Sequence, residues 1–217
     1  MSSYTIPNVI AQHPRGERIM DVYSHLLTER IVYLGTAIDP GVANTLIAQL
    51  LHLEAENQEL EINLYINCEG GDLPSMLAVY DTMQYIQAPV ATTCVGQAIG
   101  VGAVLLAAGT AGKRFALPHA RILMHRGSAG IGGSAVDIEV QADDLRHTVD
   151  TVLGLIAEDT GQPVERIFGD SLHDHWYTAA EAREYGFIDE IVGSFGQVMP
   201  ARKHRIGLSG AGEGSAA

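Results

Sequence analysis

One apolar stretch, residues 94–107 (CVGQAIGVGAVLLA), constrains the fold of this chain more than any other. It continues a β-branched run over residues 90–95 and contains repeated glycines. This pattern predicts a buried strand that turns sharply at Gly96 into a buried helix, because glycine lets the backbone pass closely at a corner. Such corners often present a nucleophile beside the helix N-terminus. Residues 97–102 (QAIGVG) contain no side chain that can act as one.

Strand-like and helix-like segments alternate along the rest of the chain, which predicts a mainly parallel sheet with flanking helices. The 217 residues suit a single α/β domain. A long helix is predicted from about residue 134 to 160, where apolar residues spaced alternately four and three apart form one narrow stripe. A helix of this kind is expected to project from the domain and meet another subunit.

The two ends of the chain differ in composition from its middle. Residues 1–18 are polar and include two prolines, which predicts a loosely ordered leader. From residue 196 the chain becomes small, polar and basic, which predicts a flexible tail over 196–217. The folded domain is therefore predicted to span residues 19–195.

Composition excludes several classes of function. A net charge of −13 argues against nucleic-acid binding. No apolar run reaches the ~18 residues that span a bilayer, and the first residues do not form a secretory signal. The two cysteines, Cys68 and Cys94, lie in or beside predicted buried strands and lack a zinc-binding spacing. The sequence therefore predicts that both cysteines are reduced thiols in the core of a cytoplasmic protein, and that no metal is bound.

Two features leave a catalytic and a structural interpretation open. Gly70 and Gly71 follow a predicted strand and precede a helix, so their N–H groups can form an anion-binding concavity or simply a tight turn. His125 closes an apolar strand before a glycine-rich stretch. An irregular polar loop is predicted over residues 170–176, and its part 170–174 supplies carboxylates that could orient an imidazole. From spacing alone, a histidine–aspartate pair is not specified.

Many short segments of the chain match one known family in order and with compatible spacing. They are RGER (15–18), DVYS (21–24), LEAEN (53–57), YIN (65–67), GG (70–71), YDTM (80–83), GQA (96–98), GKRFALP (112–118), DIE (137–139), TGQP (160–163) and EYG (184–186). Residues 4–192 resemble the proteolytic subunit of the ATP-dependent Clp protease, ClpP. The resemblance implies the ClpP/crotonase-type α/β fold, with stacked, mainly parallel sheet units, flanking helices and a protruding handle helix at about 134–160. It also implies that residues 1–18 form an axial loop.

The resemblance also implies where a catalytic site would lie. The family uses a serine–histidine–aspartate triad, and its serine stands in a segment Gly-Gln-Ala-Ala-Ser-Met-Gly-Ala. On this chain that serine position is Gly100, while the histidine and aspartate fall on His125 and Asp174. The family's oxyanion hole consists of backbone N–H groups, which correspond to those of Gly71 and Val101.

Glycine cannot form an acyl-enzyme, so the sequence predicts a ClpP-like subunit without peptidase activity of its own. The first alternative is an active serine-type peptidase with a substitute nucleophile, for which the candidates are Cys68, Ser75, Thr92, Thr93, Cys94 and Ser128. If the rest of the site is intact, Gly100→Ser is expected to create peptidase activity. The second alternative keeps the fold but binds acyl-CoA, as crotonases do.

Further consequences concern partners. The resemblance implies heptameric rings, which can pair into a tetradecamer and can include an active paralogue. It also implies an AAA+ Clp ATPase as a partner, unfolded proteins as substrates, and no cofactor. The pocket that receives the ATPase is assigned to Tyr65, Tyr85, Phe115 and Leu117. Several positions depart from the family pattern, namely Cys68-Glu69 for Ser-Pro, Arg126-Gly127 for Gln-Pro, His173 for arginine, and the polar residues His52 and Asn63 beside the pocket.

Overall fold

The computed structural model describes residues 5–13, 16–127 and 130–198. The strands are β1 (Asn8–His13), β2 (Gly16–Asp21), β3 (Ile31–Leu34), β4 (Ile62–Cys68), β5 (Val90–Ile99), β6 (Arg114–Ala116), β7 (Arg121–Met124), β8 (His175–Thr178) and β9 (Glu190–Ile191). The helices are α1 (Val22–Thr28), α2 (Pro40–Glu56), α3 (Leu73–Tyr85), α4 (Val101–Ala107), α5 (Ala135–Thr160), α6 (Val164–Asp170), α7 (Ala179–Tyr185) and α8 (Phe195–Val198).

Within these ranges, seven strands form one sheet in which β3, β4, β5, β6 and β9 follow one another in parallel. The long strand β5 organises the sheet because its two halves have different neighbours. Residues Thr92, Thr93 and Cys94 pair with β6, whereas Gln97, Ala98 and Ile99 pair with β7. β8 adds to β7 antiparallel. The predicted α/β class, with a mainly parallel sheet and flanking helices, is confirmed.

The central strand is longer than predicted. The sequence analysis ended it at Gly96, but β5 continues to Ile99 and the turn falls at Gly100. Pairing with β7 holds residues 97–99 in the strand, and the Gln97 N–H donates to the Asn67 Oδ1 at 3.2 Å; the sequence pattern alone does not reveal these contacts. Gly96 allows close packing instead of a turn, since a Cβ there would lie 2.5 Å from the Asn67 Oδ1.

The helix that follows lies in the middle of the core. Every residue of α4 is buried, and Leu105 and Leu106 are fully inaccessible. The Thr92 hydroxyl donates a hydrogen bond of 2.7 Å to the Leu106 carbonyl, which ties the helix to β5. The sequence analysis placed the turn into this helix at Gly96; the extension of β5 delays the start of the helix to Val101.

The long helix α5 begins with a capping box between Ser134 and Asp137 and agrees closely with the predicted span. Its buried residues, Val152, Leu153 and Ile156, all lie in its C-terminal half. Val136 near its start is 69% exposed. None of the helices within the described ranges has the length and apolar character needed to cross a membrane.

Three other predictions need correction. Residues 8–13 and 16–21 form the hairpin β1–β2 instead of a loose leader; its apolar residues Ile10 and Ile19 are exposed, so burial of these two does not mark the strands. The stretch 170–176, predicted as an irregular loop, contains the start of the edge strand β8. Residues 196–198, which the sequence analysis placed at the start of the tail, belong to α8; residues 199–217 lie outside the described ranges.

Candidate functional site

The turn between β5 and α4, which we call the corner (residues 99–101), is fixed by backbone hydrogen bonds. The Gly100 N–H donates to the Leu123 carbonyl at 2.9 Å. The Gly100 carbonyl in turn accepts from the N–H groups of Ala103 and Val104. Gly100 has φ 52° and ψ −108°, a conformation that residues with a side chain rarely adopt. The corner is therefore sharp and held from both sides.

His125 lies against the corner. β7 pairs with the end of β5, Ile99 opposite Leu123, and His125 follows two residues later. Its Nε2 atom lies 2.7 Å from the position that a Cβ would take on Gly100. The imidazole thus occupies the space into which any side chain at residue 100 would project.

The other ring nitrogen of His125 is already engaged. The N–H of Gly127 donates to the Nδ1 of His125 at 2.8 Å. A neutral imidazole carries one proton, so a ring whose Nδ1 accepts a hydrogen bond carries that proton on Nε2. The donor nitrogen of His125 is therefore the one that faces Gly100.

Asp174 lies next to His125, one residue beyond the last paired position of β7 and β8, but its carboxylate does not bond to the imidazole in the described structure. In the antiparallel register of β7 and β8, Met124 lies opposite His175, so Asp174 comes next to His125. The Asp174 side chain is exposed. Within the part of the chain that the structure describes, no hydrogen bond or ion pair joins it to the imidazole. The structure thus brings together Gly100 and His125, and leaves the carboxylate apart.

Arg126 has a role that sequence reasoning missed. Its guanidinium lies 3.7 Å from the centre of the Phe168 ring. It also donates to the Phe168 carbonyl and to the Ser171 hydroxyl, both at 3.2 Å. Arg126 therefore fastens the segment after β7 to the turn that leads toward Asp174. The only signal in the sequence was the departure from the family pattern at this position.

The predicted oxyanion donors lie on neighbouring elements. Gly71 follows β4 and bridges Ile38, so closely that a Cβ on Gly71 would collide with the Ile38 backbone. Val101 opens α4, and Gly102 beside it packs against Cys68 at the end of β4. Among the described residues, neither the Gly71 nor the Val101 N–H donates to another protein group. Their role as an oxyanion hole stays a prediction.

The substitute nucleophiles are poorly placed for catalysis. Burial raises the pKa of the Cys94 thiol to about 11, and burial is also the main cause of a raised pKa at Cys68. A protonated, inaccessible thiol is a weak nucleophile. No hydrogen bond links His125 to any of the described candidates, which are Cys68, Ser75, Thr92, Thr93 and Cys94. Ser128 lies outside the described residues.

Three of the four predicted docking residues lie near the C-terminal helix. Tyr65 stacks on Phe195 of α8 with ring centroids 6.5 Å apart. Phe115 and Leu117 pack in a small apolar cluster with Ala91, Val192 and Val198. Tyr85 is 82% exposed on α3 and belongs to neither contact. Docking of an ATPase at these residues stays a prediction.

The strand, the glycine turn and the buried helix, faced by a histidine, have the shape of a nucleophile elbow with a glycine at the position of the nucleophile. The chain belongs to the Clp protease family, whose family model matches residues 14–195. It is 62% identical over 193 residues to the ATP-dependent Clp protease proteolytic subunit 1 of Nocardia farcinica (strain IFM 10152). The aligned region covers 88% of this chain and 98% of that protein. The predicted family is confirmed, and the acyl-CoA alternative is not favoured.

Proposed function

We propose that this chain is a Clp protease ring subunit that has no peptidase activity of its own. The observation that supports this is the corner itself: Gly100 stands where the family resemblance requires the serine, and His125 faces it without a nucleophile to activate. Oxyanion stabilisation alone typically leaves ~10³–10⁴-fold acceleration over water. Functioning enzymes reach about 10⁶-fold or more, so such a site is silent in practice.

The remaining role is structural or regulatory, within a cytoplasmic complex that degrades unfolded proteins in an ATP-dependent manner. The chain would join heptameric rings with an active paralogue and shape the chamber or the face that meets the ATPase. Two observations support an assembling subunit. The N-terminal half of α5 exposes apolar residues such as Val136 and Val140, and Phe195 is 62% exposed over Tyr65. Apolar surface of this kind favours a protein partner.

Co-expression with an active ClpP subunit followed by native mass spectrometry tests the assembly. We expect mixed rings that contain both chains. A chain that remains monomeric under these conditions contradicts the proposal. As a control, the chain expressed alone shows whether it forms rings without the paralogue.

Fluorophosphonate labelling of the purified chain, together with cleavage of a fluorogenic peptide, tests the absence of activity. We expect neither labelling nor cleavage above background. Labelling at any serine, confirmed by mutation of that serine, would instead establish the substitute-nucleophile alternative. Ser128→Ala is the most informative control, since that residue follows Gly127 in the chain.

A further inference from the structure

The segment after β7 contains a second obstacle to catalysis, independent of Gly100. We propose that the Gly127 N–H is a positioning group that holds His125 in the tautomer unable to act as a general base. The site is then silenced at two places, the missing nucleophile and the wrong imidazole tautomer. This inference rests on the proposed function, which it deepens.

A serine triad needs its histidine in one particular tautomer. In a serine triad, the histidine accepts the hydroxyl proton on Nε2 while its Nδ1–H donates to the aspartate. His125 has the opposite arrangement, because its Nδ1 accepts the Gly127 N–H at 2.8 Å. Its Nε2–H points at the corner. A hydroxyl introduced at residue 100 would meet a hydrogen-bond donor where it needs an acceptor.

Residue 127 can supply this bond because it is a glycine. Gly127 has φ 74°, in the left-handed region that glycine adopts at little cost. That conformation turns its N–H back toward the ring two residues earlier. Proline has no N–H and is confined to φ near −65°, so it can neither donate to Nδ1 nor keep this turn.

Among the described residues, no carboxylate competes with the Gly127 N–H for the Nδ1 of His125. The carboxylate that would take the Nδ1 proton, Asp174, is exposed and does not contact His125 among the described residues. Arg126, between His125 and Gly127, is anchored to the ring and carbonyl of Phe168 and to the Ser171 hydroxyl. The anchored arginine holds the segment in the arrangement in which Gly127 reaches Nδ1.

The tautomer of His125 changes the peptidase activity that we expect of Gly100→Ser. That single substitution supplies the hydroxyl but leaves the tautomer wrong, and a wrong tautomer in a serine triad lowers kcat by about 10⁴-fold. We therefore expect Gly100→Ser alone to stay close to the background of the unaltered chain. Removal of the Gly127 N–H is needed as well.

Peptidase assays on the full chain test this with three variants: Gly100→Ser, Gly100→Ser with Gly127→Pro, and Gly100→Ser with Gly130→Pro. Gly130 is the matched control, since it lies in the same glycine-rich stretch and a Cβ there meets nothing within 4 Å. We expect the Gly127→Pro double variant to exceed Gly100→Ser by about 10²–10⁴-fold, and the Gly130→Pro variant to equal it. A Gly127→Pro double variant no more active than Gly100→Ser overturns the inference.

Nitrogen-15 NMR of histidine-labelled, unaltered protein decides the point even where the proline variant does not fold. The chain has nine histidines, and the His125 signals are assigned by their loss in His125→Gln. We expect His125 to show a protonated Nε2 and an unprotonated Nδ1. A protonated Nδ1 in the neutral ring overturns the inference.

Failure of the proposed function looks different. Peptide cleavage or fluorophosphonate labelling by the unaltered chain contradicts the absence of activity, whatever the tautomer. A silent unaltered chain whose Gly100→Ser variant is as active as the double variant contradicts only the positioning role of Gly127.

Discussion

The corner at Gly100 and the segment that faces it, residues 125–127, are held by different forces. The corner lies between a central strand and the wholly buried helix α4, and backbone hydrogen bonds fix it on both sides. The facing segment is partly exposed and depends on one local N–H bond and the surface contacts of Arg126. The corner is therefore held by the core, whereas the arrangement of the facing residues depends on a few local contacts.

This difference shows that fold and chemistry are physically separable here. None of the hydrogen bonds at the corner uses a side chain of residue 100, so its shape does not require a nucleophile. The alignment of a serine triad instead needs a particular histidine tautomer and a carboxylate contact, neither of which the corner provides. The following substitutions test each side of the comparison.

The largest effect is expected in the helix behind the corner. Leu106 is fully buried, and Leu106→Ala should lower the free energy of unfolding by about 2–5 kcal/mol because it leaves a cavity. Leu172, 54% exposed near the facing segment, is the control, and Leu172→Ala should change stability by less than about 0.5 kcal/mol. Urea unfolding at one fixed protein concentration measures both. Equal losses would show that the corner is no better packed than its surroundings.

The next effect concerns Gly100 itself. Gly100→Ala should cost about 1–3 kcal/mol, because alanine is strained at φ 52° and its Cβ would displace the His125 ring. Gly112→Ala provides the matched comparison: Gly112 also has a positive φ, 80°, but a Cβ there meets nothing within 4 Å. The excess loss at Gly100 over Gly112 reports the contact with His125. No excess would mean that the imidazole moves away freely.

A smaller effect is expected where α5 joins the corner helix. Arg114 donates to the carbonyls of Ala107, at the end of α4, and of Asp159 in α5. Burial raises the pKa of Asp159 to about 6, although a hydrogen bond from Tyr80 and the charge of Arg114 lower it. The Asp159 Oδ2 is buried without a hydrogen-bond partner.

The raised pKa fixes the direction of a pH effect. The folded chain binds more protons than the unfolded chain between the ordinary value of 3.8 and about 6, so this group stabilises the fold as the pH falls through that window. Allowing for its partial exposure, we expect about 1 kcal/mol. Asp159→Asn, compared with the unaltered chain by thermal unfolding at pH 4.5 and pH 7.5, should remove this contribution. An unchanged difference between the two proteins across that range would contradict it.

The smallest effect is expected on the facing side. Asp174 is exposed and does not contact His125 in the described structure, so Asp174→Asn should change the free energy of unfolding by less than about 0.5 kcal/mol. The His125 nitrogen resonances should also stay unchanged. A shift of those resonances would show that the carboxylate reaches the ring in solution.

Much of the architecture could be predicted from the sequence. Alternating strand and helix patterns, the capping residues Asp21 and Ser134, and the glycine-rich turn into an apolar helix are local signals. The family motifs then assigned the candidate triad positions to Gly100, His125 and Asp174. Local propensity and pattern suffice for these features because they depend on neighbouring residues in the chain.

Only the tertiary structure decided the rest. The extension of β5 to Ile99 depends on pairing with β7, and the edge strand β8 has no apolar alternation to announce it. The bond from Gly127 to His125 depends on the local backbone turn at Gly127, while the separation of Asp174 and the anchoring of Arg126 depend on distances between segments. A sequence names the residues of a site, but the hydrogen bonds that the folded backbone makes determine which nitrogen of a histidine carries its proton.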